Sequence, residues 1–117
     1  PVTAARIEVA VRGEPRELAA PVQNHLLRVA LEAVTNALKH AAPTRIDIEL
    51  AYEPDQIILT IRDDGRGFDD QRLPLPSSGH FGLFGMRERA DKLQGALTIQ
   101  STPGHGTQIQ LTVPLAE

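Results

Sequence analysis

Between Val22 and His40 the chain carries neither glycine nor proline and is rich in leucine and alanine. Pro21 stands just ahead, where a first helical residue tolerates proline, and Pro43 just behind, where it stops the ladder. The spacing predicts one long helix, and in a chain of 117 residues, too short for two independent cores, everything else must be arranged around it in one domain. What flanks it is strand-like. Arg6 to Arg12 alternates polar and apolar and closes at Gly13-Glu14-Pro15, which predicts a half-buried strand. Ile46, Ile48 and Leu50 alternate with Arg45, Asp47 and Glu49, and Tyr52-Glu53-Pro54-Asp55 turns the chain into Ile57 to Ile61, apolar enough for a more fully buried strand. A second helical pattern runs from Gly82 to Leu93, with Leu83, Met86, Ala90 and Leu93 in step and Gly95 just past the end. Ala96 to Gln100 and Thr107 to Val113 form a closing hairpin about Thr102-Pro103-Gly104-His105-Gly106. Short turns between neighbouring strands exclude a purely parallel sheet, so the class is α+β, a mixed sheet with helices stacked on one face.

Composition narrows the function. Twelve Lys and Arg against fifteen Asp and Glu give a net charge of −3, which argues against nonspecific binding to nucleic acid or to an anionic membrane surface. The absence of cysteine excludes disulfides, thiolate nucleophiles and cysteine-ligated metals. Hydrophobic residues make up 41% but aromatic ones only 3%, so the core is one of Leu, Ile, Val and Ala. No apolar run approaches the roughly 20 residues of a membrane span, and the start lacks the features of a signal peptide. Because it opens on Pro1 rather than Met, the chain reads as an excised piece of a longer polypeptide, with a cytoplasmic location expected.

Four constellations carry chemistry. On the long helix, at about 100° per residue, Leu27, Leu31, Val34 and Leu38 share one narrow stripe while Glu32, Asn36, Lys39 and His40 gather on roughly the opposite side. That polar side is either a solvated face or, since Glu32 and Asn36 are four apart, a pair converging on one hydrated cation or water. Next, Asp63-Asp64-Gly65-Arg66-Gly67 follows a buried strand: either an acidic surface turn, or a carboxylate beside backbone that can approach a ligand closely. An EF-hand would place Thr60, Arg62 and Gln71 at ligand positions, and a dinucleotide fingerprint would need glycine where Asp70 stands, so both fail. Third, Gly79-His80-Phe81-Gly82-Leu83-Phe84-Gly85 enters a helix, giving either tight packing or an anion site. Gly106-Thr107 is by itself a hairpin turn. His25 and His105 read as surface residues without ligand partners.

In this order, Glu32-x-x-x-Asn36-x-x-Lys39-His40, Asp63-x-Gly65-x-Gly67, Gly82-Leu83-x-Gly85-Met86 and Gly106-Thr107 resemble the N, first-glycine, second-glycine and Gly-Thr boxes of the GHKL ATPase superfamily. They look most like the catalytic, ATP-binding domain of bacterial sensor histidine kinases. Asn36 to Ala41 and Gly85-Met86-Arg87-Glu88-Arg89-Ala90 resemble the nitrate/nitrite-sensor branch. The resemblance runs from about Gly13 to Pro114 and implies a Bergerat two-layer α/β sandwich with a flexible ATP lid over residues 65–81.

It further implies ATP and Mg²⁺ as cofactors. Asp63 would accept the adenine amine, Asn36 would hold Mg²⁺, and Glu32 would be the polarising base with Lys39 and His40 near the phosphates. Gly65 and Gly67 would hinge the lid, Gly82, Leu83 and Gly85 would offer backbone N–H groups, and Thr107 would lie by the adenine. Two departures stand out: His80 lies two before Gly82, and no separate phenylalanine box is visible unless Phe81 or Phe84 substitutes. His25 and His40 both lie on the N-box helix, so the phosphoaccepting histidine is expected in a separate dimerisation domain, with a response regulator as indirect partner. The fragment alone is expected to be a monomer that binds ATP and transfers nothing. The rival readings are a GHKL ATPase or anti-sigma serine kinase, against which Lys39-His40 and Met86-Arg87-Glu88-Arg89 stand, and an interaction module without nucleotide, against which the intact boxes stand.

Overall fold

The computed structural model describes residues 5–69 and 83–115. Strand β1 (Arg6–Arg12) leads into helix α1 (Ala20–Asn36), which continues as a wider π turn over Ala37–Ala41. Strands β2 (Arg45–Tyr52) and β3 (Gln56–Asp63) follow, then helix α2 (Leu83–Lys92) and the hairpin β4 (Ala96–Ser101) and β5 (Thr107–Pro114). The sheet order is β1-β2-β3-β5-β4, with β1 parallel to β2 and every other pair antiparallel. The mixed sheet and the single helical layer are those the turns predicted. Of the 65–81 stretch, only residues 65–69 fall among the described residues; 70–81 and Gly82, with His80 and Phe81, lie outside them.

Pro21 sits in the first turn of α1, whose missing N–H is no loss there. The helix stops before Pro43 because Ala42 adopts a left-handed conformation, φ 48°. Strand β3 alternates rather than being buried on both sides: Ile57, Leu59, Ile61 and Asp63 face the helices, and Ile58, Thr60 and Arg62 face away.

The buried stripe of α1 is not the leucine stripe. Leu26, Val29, Ala33 and Ala37 meet the sheet, whereas Leu27, Leu31 and Leu38 are 58%, 53% and 51% exposed. The two arcs lie about 125° apart on the helix. Periodicity finds both and does not say which one meets the sheet. The arc with two alanines lets the helix come down close on β3, whose Ile57, Leu59 and Ile61 already fill the space, and Met86, Ala90 and Leu93 of α2 close the same core. This rotation matters for function. Had the leucine arc been buried, Asn36 would point almost straight out to solvent; with the alanine arc buried, it stands at the edge of the core.

Beyond α1 the apolar face of the sheet is uncovered, and Ile7, Val9 and Val11 of β1 are 46%, 66% and 54% exposed. The strand is therefore an exposed edge rather than half buried.

Candidate functional site

Two adjacent carboxylates end β3 and are sent to opposite sides by the pleat. Asp63 is only 8% exposed and its Oδ1 accepts the N–H of Gly65 at 2.8 Å. Burial pushes its pKa up, the Gly65 N–H works against that, and the neighbouring charge of Asp64 adds to it. Asp64 is exposed and clamps the start of β2: Oδ1 accepts the backbone N–H groups of Thr44 at 2.8 Å and Arg45 at 3.0 Å, and Oδ2 accepts the Thr44 hydroxyl. These bonds, the Thr44 hydroxyl first, hold its pKa below the ordinary carboxylate value. Asp63 is thus available to a ligand, and Asp64 is committed to the fold.

The glycine segment after them is stitched down on both sides. A Cβ on Gly65 would stand 2.4 Å from the Ala41 carbonyl oxygen at the end of the π turn, where the Arg66 N–H also donates to that oxygen at 2.8 Å. Gly67, at φ +65°, passes so close to the β4–β5 hairpin that a Cβ would lie 2.2 Å from the Thr102 carbonyl oxygen. Gly65 is therefore demanded by close approach rather than by a hinge conformation. Ser101, buried and absent from the residues singled out in the sequence, organises the other side. Its hydroxyl accepts the Phe68 N–H at 2.8 Å and lies 2.8 Å from Thr107 Oγ1, and Thr107 pairs directly across the ladder with Asp63. Its position at a strand end, on the core side of an alternating pattern, was the only available signal.

Between α1, the glycine segment and β5 lies a cavity of about 100 Å³, lined by Asn36, His40, Asp63, Gly67, Leu83 and Thr107 among others. Residues separated by up to 76 positions, Ala33 to Ile109, are thereby brought to one hollow. Glu32 is not part of it. It lines a neighbouring cavity of about 160 Å³ with Arg28, Gly85, Met86 and Arg89. Lys39 is exposed and lines neither. Gly85 is exposed, and among the described residues a Cβ there would meet nothing within 4 Å, so it leaves space rather than serving tight packing against them. His25 is half-buried, with Nδ1 3.2 Å from Arg89 Nη1, rather than free on the surface. A broader hollow of about 430 Å³ opens at the same strand ends, but its arginines are engaged: Arg62 with Gln108 at 2.9 Å and Arg45 with Asp47 at 2.9 Å. The smaller cavity, where a buried carboxylate and an amide converge, is the better recognition site.

Among the described residues, no group of three His, Cys, Asp or Glu side chains could hold a metal ion, and no helix is long and apolar enough to cross a membrane.

The family described as histidine kinase-, DNA gyrase B- and HSP90-like ATPase matches residues 22–117. The chain is 43% identical over 103 residues to the signal transduction histidine-protein kinase/phosphatase DegS of Bacillus subtilis, covering 88% of this chain and 27% of DegS. It is 37% identical over 95 residues to the sensor protein VraS of Staphylococcus aureus, covering 80% and 26%. It therefore spans about a quarter of the length of these relatives. Among solved structures, the histidine kinase domain of the blue-light activated kinase EL346 of Erythrobacter litoralis superposes with a TM-score of 0.77 at 24% identity, over 96% of this chain and 56% of that one. The catalytic domain of histidine kinase ThkA gives 0.70 at 15% identity, over 92% and 78%. These two share the fold.

Proposed function

Because the chain belongs to the histidine kinase-, DNA gyrase B- and HSP90-like ATPase family, we propose that it binds ATP in the cavity shared by Asp63 and Asn36 and serves as the nucleotide-holding domain of a sensor histidine kinase. Its γ-phosphoryl group then goes to a histidine of a dimerisation domain elsewhere in the polypeptide, from which a response regulator draws it. The observation that carries this reading is the meeting of a buried, acceptor-only carboxylate with a helix-borne amide in one hollow. The Asp63 carboxylate accepts the exocyclic amine of adenine and repels the carbonyl that guanine presents at that position. Thr107, beside it across the ladder, borders the base.

A cavity of about 100 Å³ takes the base and leaves ribose and phosphates to extend along α1 towards the first turn of α2. There Leu83 and Gly85 offer backbone N–H groups, with Gly82, outside the described residues, proposed to join them, and Lys39 brings positive charge and His40 a ring N–H from the π turn. Asn36 supplies one amide oxygen to Mg²⁺. This fits a metal that takes few protein ligands and keeps phosphate oxygens and waters, and it suits a site with no cluster of three ligating side chains among the described residues. When bound, Mg²⁺ neutralises phosphate charge. Glu32, one turn before Asn36, polarises the attacking imidazole. Phosphoryl transfer asks chiefly for positioning and charge neutralisation, which these groups supply.

Calorimetry with Mg-ATP tests the reading. Asp63→Ala should weaken binding roughly ten- to a hundredfold, the value of a charge-assisted hydrogen bond. No binding at millimolar protein, or an unchanged affinity in the variant, rejects it. Joining the domain to its native dimerisation domain and following label from γ-labelled ATP tests the transfer.

A further inference from the structure

Beyond Asn36 on α1 lies a second cavity that the base-binding hollow does not use. Glu32 is one turn back from Asn36, and Arg28 one turn further, so the three stand along the helix at intervals of about 6 Å. Facing Arg28 and Glu32 across the gap are Gly85, Met86 and Arg89 of α2. Leu83 borders the first cavity and Gly85 the second, so the same two helices wall both, and the second is the continuation of the first.

Its charge is unbalanced. Two guanidinium groups and one carboxylate border about 160 Å³, and among the described residues neither Arg28 nor Glu32 has an ion-pair or hydrogen-bond partner. Arg89 meets only the His25 ring, with Nη1 3.2 Å from Nδ1. A guanidinium can only donate, so the ring nitrogen is the acceptor, and an imidazole carries no negative charge with which to neutralise Arg89. Two like charges held on one small cavity repel each other unless an anion joins them. The planar fork of arginine is the side chain best matched to phosphate oxygens. Gly85 keeps the entrance open, since among the described residues nothing lies within 4 Å of where its Cβ would stand.

We propose that Arg28 and Arg89 grip the terminal phosphoryl group of ATP and so distinguish it from ADP, with His25 as the positioning residue that aims Arg89. This rests on the nucleotide reading above. With the base on Asp63 and the metal held at Asn36, a triphosphate carries one phosphoryl group further along α1 towards the pair than a diphosphate does. The same two groups stand on either side of Glu32, where an incoming imidazole would be polarised, so they also lie where charge develops during transfer.

Titration calorimetry of wild type, Arg28→Ala, Arg89→Ala and Asp63→Asn with Mg-ATP and Mg-ADP separates the possibilities. Each arginine variant should lose about tenfold or more in ATP affinity while ADP affinity stays within about twofold. Asp63→Asn should weaken both nucleotides alike. Equal losses for ATP and ADP in the arginine variants would assign them a structural role, and unchanged ATP affinity would deny them any; either result overturns the proposal while leaving the Asp63 reading standing. If wild type binds neither nucleotide, the site reading falls and this one with it. Arg28 is exposed, so Arg28→Ala carries the test should Arg89→Ala unfold. His25→Ala should reproduce a weaker form of the Arg89→Ala pattern, again for ATP alone.

Discussion

At Asp63 the fold keeps a carboxylate where burial disfavours its charge, and next to it keeps another where hydrogen bonds favour it. Their effects on stability have opposite signs. A raised pKa means that the contribution of Asp63 is fully present below its ordinary value of 3.8 and is lost as pH rises through the folded value. Asp63→Asn should therefore raise the melting temperature of the nucleotide-free protein at pH 7 and make no difference near pH 3, while weakening ATP binding at pH 7. Asp64 has a lowered pKa, so its contribution is present above 3.8 and lost as pH falls through the folded value. Asp64→Asn should lower the melting temperature at pH 7, with the gap closing in acid. Calorimetric scans of both variants at two pH values check the pair of signs. Gly85→Ala should gain up to about 1 kcal/mol in stability, because alanine favours a helix and its methyl meets nothing, yet should bind ATP more weakly. The order of the boxes picked Asp63 over Asp64, but a physical ground for the choice, the period-2 run Ile57, Leu59, Ile61, Asp63, was hidden by the reading of that strand as more fully buried. Ser101 was invisible for a different reason: besides Gly106 and Thr107 of its own hairpin, its partner is Phe68 of the glycine segment, which it meets only in the fold.

Helix α1 shows what periodicity can and cannot decide. It located the element, its proline start and the one face that carries Glu32 and Asn36, but the apolar stripe it picked out, Leu27, Leu31, Val34 and Leu38, is not the one that meets the sheet. Which arc is buried depends on how much room the sheet leaves, and that is a property of β3 rather than of α1. The consequence can be measured. Leu26→Ala should cost about 2–5 kcal/mol, as for other buried leucines, whereas Leu31→Ala on the exposed arc should stay within about 0.5 kcal/mol. Equal losses in urea denaturation would mean that the leucine arc is the buried one. The π turn over Ala37–Ala41 was read as ordinary helix because no sequence pattern separates the two. Its effect is local and large: it puts the Ala41 carbonyl against Gly65 and thereby sets the height of the glycine segment over the cavity.

Across the whole molecule the mixed sheet and the single helical layer followed from turn lengths, while the strand order and the parallel pairing of β1 with β2 did not, since both are contacts between segments far apart in the chain. That order places β3 in the middle, between β2 and β5, and leaves β1 tied to the rest through β2 alone. Amide exchange should run accordingly, fastest in β1 and slowest in β3, and a β1 as protected as β3 would contradict the exposures of Ile7, Val9 and Val11. Asp63, the carboxylate proposed to meet the base, thus belongs to the last strand expected to open. Warming or denaturant can fray the margin without disturbing recognition, so nucleotide affinity should hold up to the cooperative transition and then vanish with it. Conversely, saturating ATP should move that transition upward as a single step, in proportion to the logarithm of its concentration.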